Sequence, residues 1–258
     1  MRWALRILAL CAVPLILSAC GGDGRPRVLV AAASDLRFAF EAMEPGFEDR
    51  CTCDLVFSFG SSGTLATQIG QGLKADVFAS ADAGYVDQME RQGLLLADTR
   101  RLYAIGRIVI AVPAGSGHTA ASLDDLREPA FGKVSIANPE HAPYGRAAKE
   151  ALTAAGVWQD VESRLVLGEN ALLATQFVET ANADAGIVPL SLAIQRERFL
   201  RYVLIPDSLH KPLRQEAAVL GSSRQAQLAT SFLDYIAGEG RALMRSYGFL
   251  LPGESHQQ

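Results

Sequence analysis

The chain predicts an α/β fold, and three observations carry that expectation. Short apolar runs alternate with amphipathic segments from Val28 onward, the runs Val28–Ala33 and Leu55–Phe59 each end in a small hydroxyl-bearing turn, and each of those turns opens a helix-like segment. At 258 residues and 49% hydrophobic composition, the chain has apolar material for one large domain or two modest lobes.

Taken in order, strands are expected at 28–33, 54–59, 76–79, 107–112, 133–137, 164–167, 184–188, 202–205 and 215–220. Helices are expected at 35–49, 64–72, 82–91, 122–127, 143–155, 158–162, 170–181, 189–196, 223–237 and 239–246. Pro45 should distort or end the first helix, because it lacks an N–H and its ring crowds the preceding turn. Asp82, after Ala79-Ser80-Ala81, is placed to cap the helix that follows. The two closing helices suggest a chain that leaves one lobe, builds another and returns, with Ile108–Val112 and Ala217–Leu220 as the connecting strands.

Residues 1–19 read as an export signal. Arg2 and Arg6 precede the apolar run Ile7–Leu17, which is too short for a membrane-spanning helix. Leu17-Ser18-Ala19-Cys20 then has the form of a bacterial lipobox, predicting cleavage before a lipidated Cys20 and a tether over 20–26; an ordinary secretory signal containing a cysteine is the alternative. The net charge of −4 becomes more negative once the two arginines of the signal are gone, and this argues against nucleic acid as a partner. Cys51 and Cys53, separated by Thr52, have no histidine nearby in sequence and no finger-like spacing, so a metal site is not indicated; they are expected to be reduced or locally bridged.

Two turns stand out. Ser34-Asp35-Leu36 and Gly60-Ser61-Ser62-Gly63-Thr64 each end a strand-like run and open a helix. The first turn of a helix carries unpaired N–H groups and the positive end of the dipole, so it suits an anion. Serine hydroxyls beside those amides suggest a pocket of neutral donors around an oxyanion, hence binding rather than catalysis. No Gly-x-Ser-x-Gly elbow accompanies the serines, which leaves a serine hydrolase without support.

Val30–Leu36, Phe57–Leu65, Gln68-Ile69, Gly72, Ala75–Asp82, Asn138–Gly145, Lys149–Leu152 and Tyr247-Gly248-Phe249 together resemble the substrate-binding proteins of molybdate ABC transporters, from about Val28 to Phe249. The resemblance implies a type II periplasmic binding protein fold, two α/β lobes joined by two crossover strands, with residues 27–106 plus 214–258 as lobe 1 and 107–213 as lobe 2. It implies an exported, monomeric, non-enzymatic receptor that takes molybdate, and tungstate as well, without a cofactor. Such a receptor delivers to a permease and ATPase and touches the membrane through its lipid anchor. Ser34 and Ser62 match the two hydroxyl and amide donors of the first lobe, and Tyr144 and Ala171 match positions donating a backbone N–H from the second. Asp35 is expected to lend its N–H, with its carboxylate turned away. The alternative, a carboxylate facing the ligand, would suit a protonated oxyanion.

The chain departs from many relatives in placing Pro189 after Gly186-Ile187-Val188, where they carry a tyrosine hydroxyl; the phenol of Tyr144 is the expected replacement. Receptors for sulfate or phosphate, and an extracytoplasmic sensor or enzyme subunit on the same scaffold, are the other readings.

Overall fold

The computed structural model describes residues 24–254. The proposed signal, Cys20 and most of the tether therefore lie outside the described residues. No helix among the described residues is long and apolar enough to cross a membrane.

The first part of the chain forms β1 (Arg27–Ala33), a 3-10 turn (Ser34–Leu36), α1 (Arg37–Cys51), β2 (Asp54–Gly60), α2 (Ser62–Gly70), β3 (Val77–Ser80), α3 (Ala83–Arg91) and β4 (Arg101–Gly106). Next come β5 (Ile108–Pro113), β6 (Val134–Ala137), α4 (Pro143–Ala154), α5 (Trp158–Val161), β7 (Leu165–Gly168), α6 (Ala171–Glu179), β8 (Ala185–Pro189), α7 (Leu190–Ile194) and β9 (Leu200–Leu204). The last part is β10 (Leu213–Val219), α8 (Ala226–Ala237) and α9 (Arg241–Ser246).

These strands form two five-stranded sheets, in the orders β2-β1-β3-β10-β4 and β7-β6-β8-β5-β9. Each has the same plan. Three parallel strands carry helices on their crossovers, and a strand arriving from the other sheet's side runs antiparallel beside them: β10 between β3 and β4, β5 between β8 and β9. The chain passes between sheets at Gly106–Arg107 and again between Leu204 and Leu213. Arg107 secures this junction by donating from Nε and Nη2 to the carbonyl of Gly248, at 3.1 and 2.9 Å. Gly248 adopts φ +83°, and a Cβ there would meet Leu190 and Ile194 of α7. The Tyr247-Gly248-Phe249 segment thus belongs to the joint between the lobes.

The elements form where the apolar pattern places them, except that the helix expected at 122–127 is a short 3-10 helix, Leu123–Arg127, and with two further differences. The segment Arg101–Gly106 is a strand of its own, not anticipated from the sequence. It merges in the sequence with the next apolar run, and only the change of sheet at Gly106 separates them. The other difference is that α1 runs through Pro45 to Cys51. The missing hydrogen bond is outweighed by packing: Phe40, Met43 and Phe47 are buried, and Phe47 lies 5.1 Å from Phe232 and 5.6 Å from Tyr235 between ring centres. The helix ends instead at Thr52, in the left-handed conformation, whose N–H bonds to Glu48. Cys51 and Cys53 are joined by a disulfide across that residue. Asp82 caps α3 as expected, accepting from the Gly84 N–H at 2.8 Å.

Candidate functional site

Parallel α/β sheets bind ligands outside the carboxyl ends of their strands, where neighbouring connections diverge to opposite sides. Here β1 lies between β2 and β3, and β6 between β7 and β8, so each sheet has such a point. The two points meet. Ser34 and Asp35 follow β1, Ser62 follows β2 and Ala81 follows β3; from the other sheet, Tyr144 begins the helix after β6 and Ala171 the helix after β7. All six line one cavity of about 10 Å³. That is room for about one water-sized sphere, so the site suits a small compact ligand and excludes sugars or peptides.

The structure brings all five sequence-predicted ligand residues, Ser34, Asp35, Ser62, Tyr144 and Ala171, to this wall. Every one is buried. The two serines are held by accepting, not by donating. Ser34 Oγ takes the Leu172 N–H across the cleft at 3.2 Å, and Ser62 Oγ takes the Ala81 N–H at 3.0 Å. A hydroxyl has one proton to give and two lone pairs, so accepting these bonds leaves the O–H proton of both serines uncommitted. Ser61, between Gly60 and Ser62, is occupied differently: it caps α2 by accepting from the Thr64 N–H and lies 2.8 Å from His141 Nδ1.

Tyr144 and Ala171 are the second residue of α4 and the first of α6, where an N–H has no carbonyl four residues earlier within the helix. Pro143 at the start of α4 fixes the entry angle, and Asn170 caps α6 by accepting from the Leu173 N–H at 3.0 Å. Gly145 lets α4 come this close: a Cβ there would collide with the backbone of Ala137 and Asn138.

The phenol of Tyr144 is not where the sequence suggests. It donates to Asp35 Oδ2 at 2.9 Å and accepts from Gln215 Nε2 at 3.0 Å, so its single proton is committed. It does not stand in for the hydroxyl absent at Pro189. Nor does the Asp35 carboxylate turn away to support its own helix. It joins a buried network in which Gln215 donates to Oδ2 at 2.7 Å, and Tyr103 donates to Gln215 Oε1 at 3.3 Å. Burial pushes the Asp35 carboxyl up to about 6, against the opposing pull of the Gln215 and Tyr144 bonds. The same burial, with Asp35 nearby, keeps both phenols protonated well beyond the usual tyrosine range. Gln215 is the residue that sequence reading missed. A glutamine between Arg214 and Glu216, just ahead of the apolar run Ala217–Val219, is its only local sign.

Around the rim, the lobes touch through polar pairs. The His141 carbonyl accepts from the Gly63 N–H at 3.0 Å and the Tyr85 hydroxyl at 3.1 Å. Arg146 pairs with Asp82 and stacks over Tyr85. His141 and Arg146 thus tie the lobes together beside the cavity, and Arg37 pairs with Glu41. Trp158 packs under Lys149, whose Nζ lies 4.8 Å from the ring centre. No cluster of three metal-ligating side chains occurs among the described residues.

Comparison with known proteins agrees with this architecture. The family model for bacterial extracellular solute-binding proteins matches residues 28–250. The molybdate-binding protein ModA of Rhodobacter capsulatus is 33% identical, over 92% of this chain and 91% of its own. That of Azotobacter vinelandii is 31% identical, over 90% and 93%. The solved structure of the Azotobacter vinelandii periplasmic molybdate-binding protein superposes with a TM-score of 0.80 at 27% identity, covering 87% of this chain and 99% of that one. The chain belongs to the bacterial extracellular solute-binding proteins, alongside the ModA relatives, and has their two-lobed periplasmic binding fold.

Proposed function

We propose that the protein is an extracytoplasmic receptor that closes on molybdate, and on tungstate, and hands it to the permease and ATPase of an ABC importer. The observation that carries this reading is the pair of uncommitted hydroxyl protons on Ser34 and Ser62, sharing one small cavity with first-turn residues of two helices from the opposite lobe. Molybdate and tungstate are fully deprotonated at neutral pH, so their oxygens only accept, and a ring of neutral donors answers each of them. Roughly six such bonds, at about 1.5–3 kcal/mol each, amount to about 9–18 kcal/mol before dehydration and closure are subtracted. That leaves room for affinities from about micromolar to nanomolar.

Ser34, Ser62, Tyr144 and Ala171 are the proposed donors, the last two through their backbone. Lipidation at Cys20 would hold a monomeric receptor on the outer face of a membrane, where the importer collects its cargo. A second reading has one observation in its favour. Asp35, an acceptor in the cavity wall, would suit an oxyanion that brings its own proton, such as phosphate.

Calorimetric titration of the ligand-free soluble domain, residues 24–258, with molybdate, tungstate, sulfate and phosphate tests the proposal. Tight binding of the first two alone is expected; equal binding of sulfate or phosphate would overturn the specificity.

A further inference from the structure

The cavity wall contains one group at odds with an anion. Asp35 is 2% exposed, Oδ2 accepts from Tyr144 and Gln215, and Oδ1 is buried with no hydrogen-bond partner. No ion pair among the described residues includes Asp35.

The groups facing it are neutral or already neutralised. From α4 comes the Tyr144 phenol, from β10 the Gln215 amide, and from β4 the Tyr103 phenol behind it. From α7 the Ser191 hydroxyl donates to the Asp35 carbonyl at 3.0 Å. On α1, Arg37 is paired with Glu41; on α6, Glu179 is paired with Arg196. Glu216, beside Gln215, is paired with Arg100. His141 is engaged with Ser61.

An ionised carboxylate and an oxyanion are both acceptors only, and side by side in a closed cavity they repel with no donor between them. A proton on Oδ1 removes the conflict. It turns the unpartnered oxygen of this cavity-lining residue into a donor for an anion oxygen that comes against it, while Oδ2 keeps both of its bonds. We propose that Asp35 is the proton-carrying residue of this site: each oxyanion is bound together with one proton taken from solution, held on Oδ1 and donated to the anion. The inference rests on the oxyanion reading above. The proton comes from buffer on closure and returns to it on release, and no covalent bond is made in the ligand. Burial, which already brings this carboxyl to about 6, places the uptake within reach at neutral pH.

Molybdate is titrated calorimetrically at pH 7.5 into the soluble domain in buffers of differing ionisation enthalpy; the slope of observed heat against that enthalpy counts the protons taken up. A slope near one is expected, with affinity falling close to tenfold per pH unit above neutrality. For Asp35→Asn, whose amide donates without titrating, the expected slope is near zero and the affinity does not vary with pH. In the wild type, a protonated-carboxyl band should appear in the difference infrared spectrum on adding molybdate, a reading that needs no variant. A wild-type slope near zero with molybdate bound would overturn the inference and leave the oxyanion reading standing. So would a slope near one that survives in Asp35→Asn, which would send the proton elsewhere, His141 included. Phosphate binding as tightly as molybdate without proton uptake would also overturn it, the ligand then carrying its own. Absence of molybdate binding altogether would sink the receptor reading itself, and this inference with it.

Discussion

Replacing Tyr144 by phenylalanine removes one oxygen atom and, with it, a bond between the lobes. The hydroxyl sits on α4 beside the second sheet, and its acceptor Asp35 follows β1 of the first, 2.9 Å away. A cavity of about 10 Å³ between the lobes admits a tetrahedral oxyanion only if the lobes part, and in the parted form both groups return to water. The bond therefore belongs to the closed state alone, so its loss falls on closure and on ligand affinity. A hydrogen bond to a charged group contributes about 1.5–3 kcal/mol, and one to a neutral carboxyl about 1 kcal/mol. Molybdate affinity should fall about 5-fold if the carboxyl is protonated when closed, and up to about 150-fold if it is ionised. Calorimetry on the soluble domain reads this directly. Repeating the substitution in an Asp35→Ala background isolates the route: with the acceptor gone, Tyr144→Phe should cost almost nothing further. An affinity within twofold of wild type would refute the latch. Undiminished loss in the Asp35→Ala background would show that the phenol addresses the anion itself.

Further substitutions bear on other parts of the site. Ser34→Ala and Ser62→Ala should each weaken molybdate by about 10- to 150-fold, from one lost bond to a charged ligand. Ser62→Ala should also lower the melting temperature of the ligand-free protein, because the buried Ala81 N–H loses its acceptor. Gly145→Ala forces a methyl into the Ala137 backbone, and overpacking of about 1–3 kcal/mol should appear as a lower melting temperature together with weakened binding as the Tyr144 N–H is displaced. The raised Asp35 carboxyl has a defined sign. The closed form's stability from this group is fully present below the ordinary carboxyl range near 4 and is lost as pH rises through about 6, by about 3 kcal/mol in total. Saturated with molybdate and so held closed, Asp35→Asn should accordingly melt higher than wild type above pH 7, with the gap closing towards pH 4. Reducing the Cys51–Cys53 bridge should leave molybdate affinity unchanged, since it lies at the far end of a 15-residue helix, about 22 Å from the cavity end.

Much of the architecture was legible because burial imposes period. The runs Val28–Ala33 and Ile108–Val112 are buried on both faces and read as uninterrupted apolar strands, and α4 shows its apolar side at helical spacing. Chain direction hid β4, since Gly106-Arg107 interrupts the apolar stretch Leu102–Val112 without marking that one sheet ends there and another begins. Pro45 misled because propensity is local, whereas the aromatic cluster around Phe47 is assembled from residues almost two hundred positions apart. In the site, Ser34 and Ser62 were readable as turn residues on strand ends. The partnership of Asp35 with Tyr144 and Gln215 was not: these two lie 109 and 180 positions from Asp35, and only the folded chain brings the three together.

The place of β10 in the first sheet governs the order in which the molecule can be completed. Until residues beyond Pro212 are available, β4 has no ladder partner, and β3 presents a bare edge where β10 belongs. The second sheet, by contrast, is built from one unbroken stretch of chain, β5 through β9. A polypeptide threaded through a translocation pore amino end first would therefore finish its middle before its beginning. The half that starts the sequence stays open until the last forty-odd residues emerge, and the anion trap cannot set while the chain is still in transit.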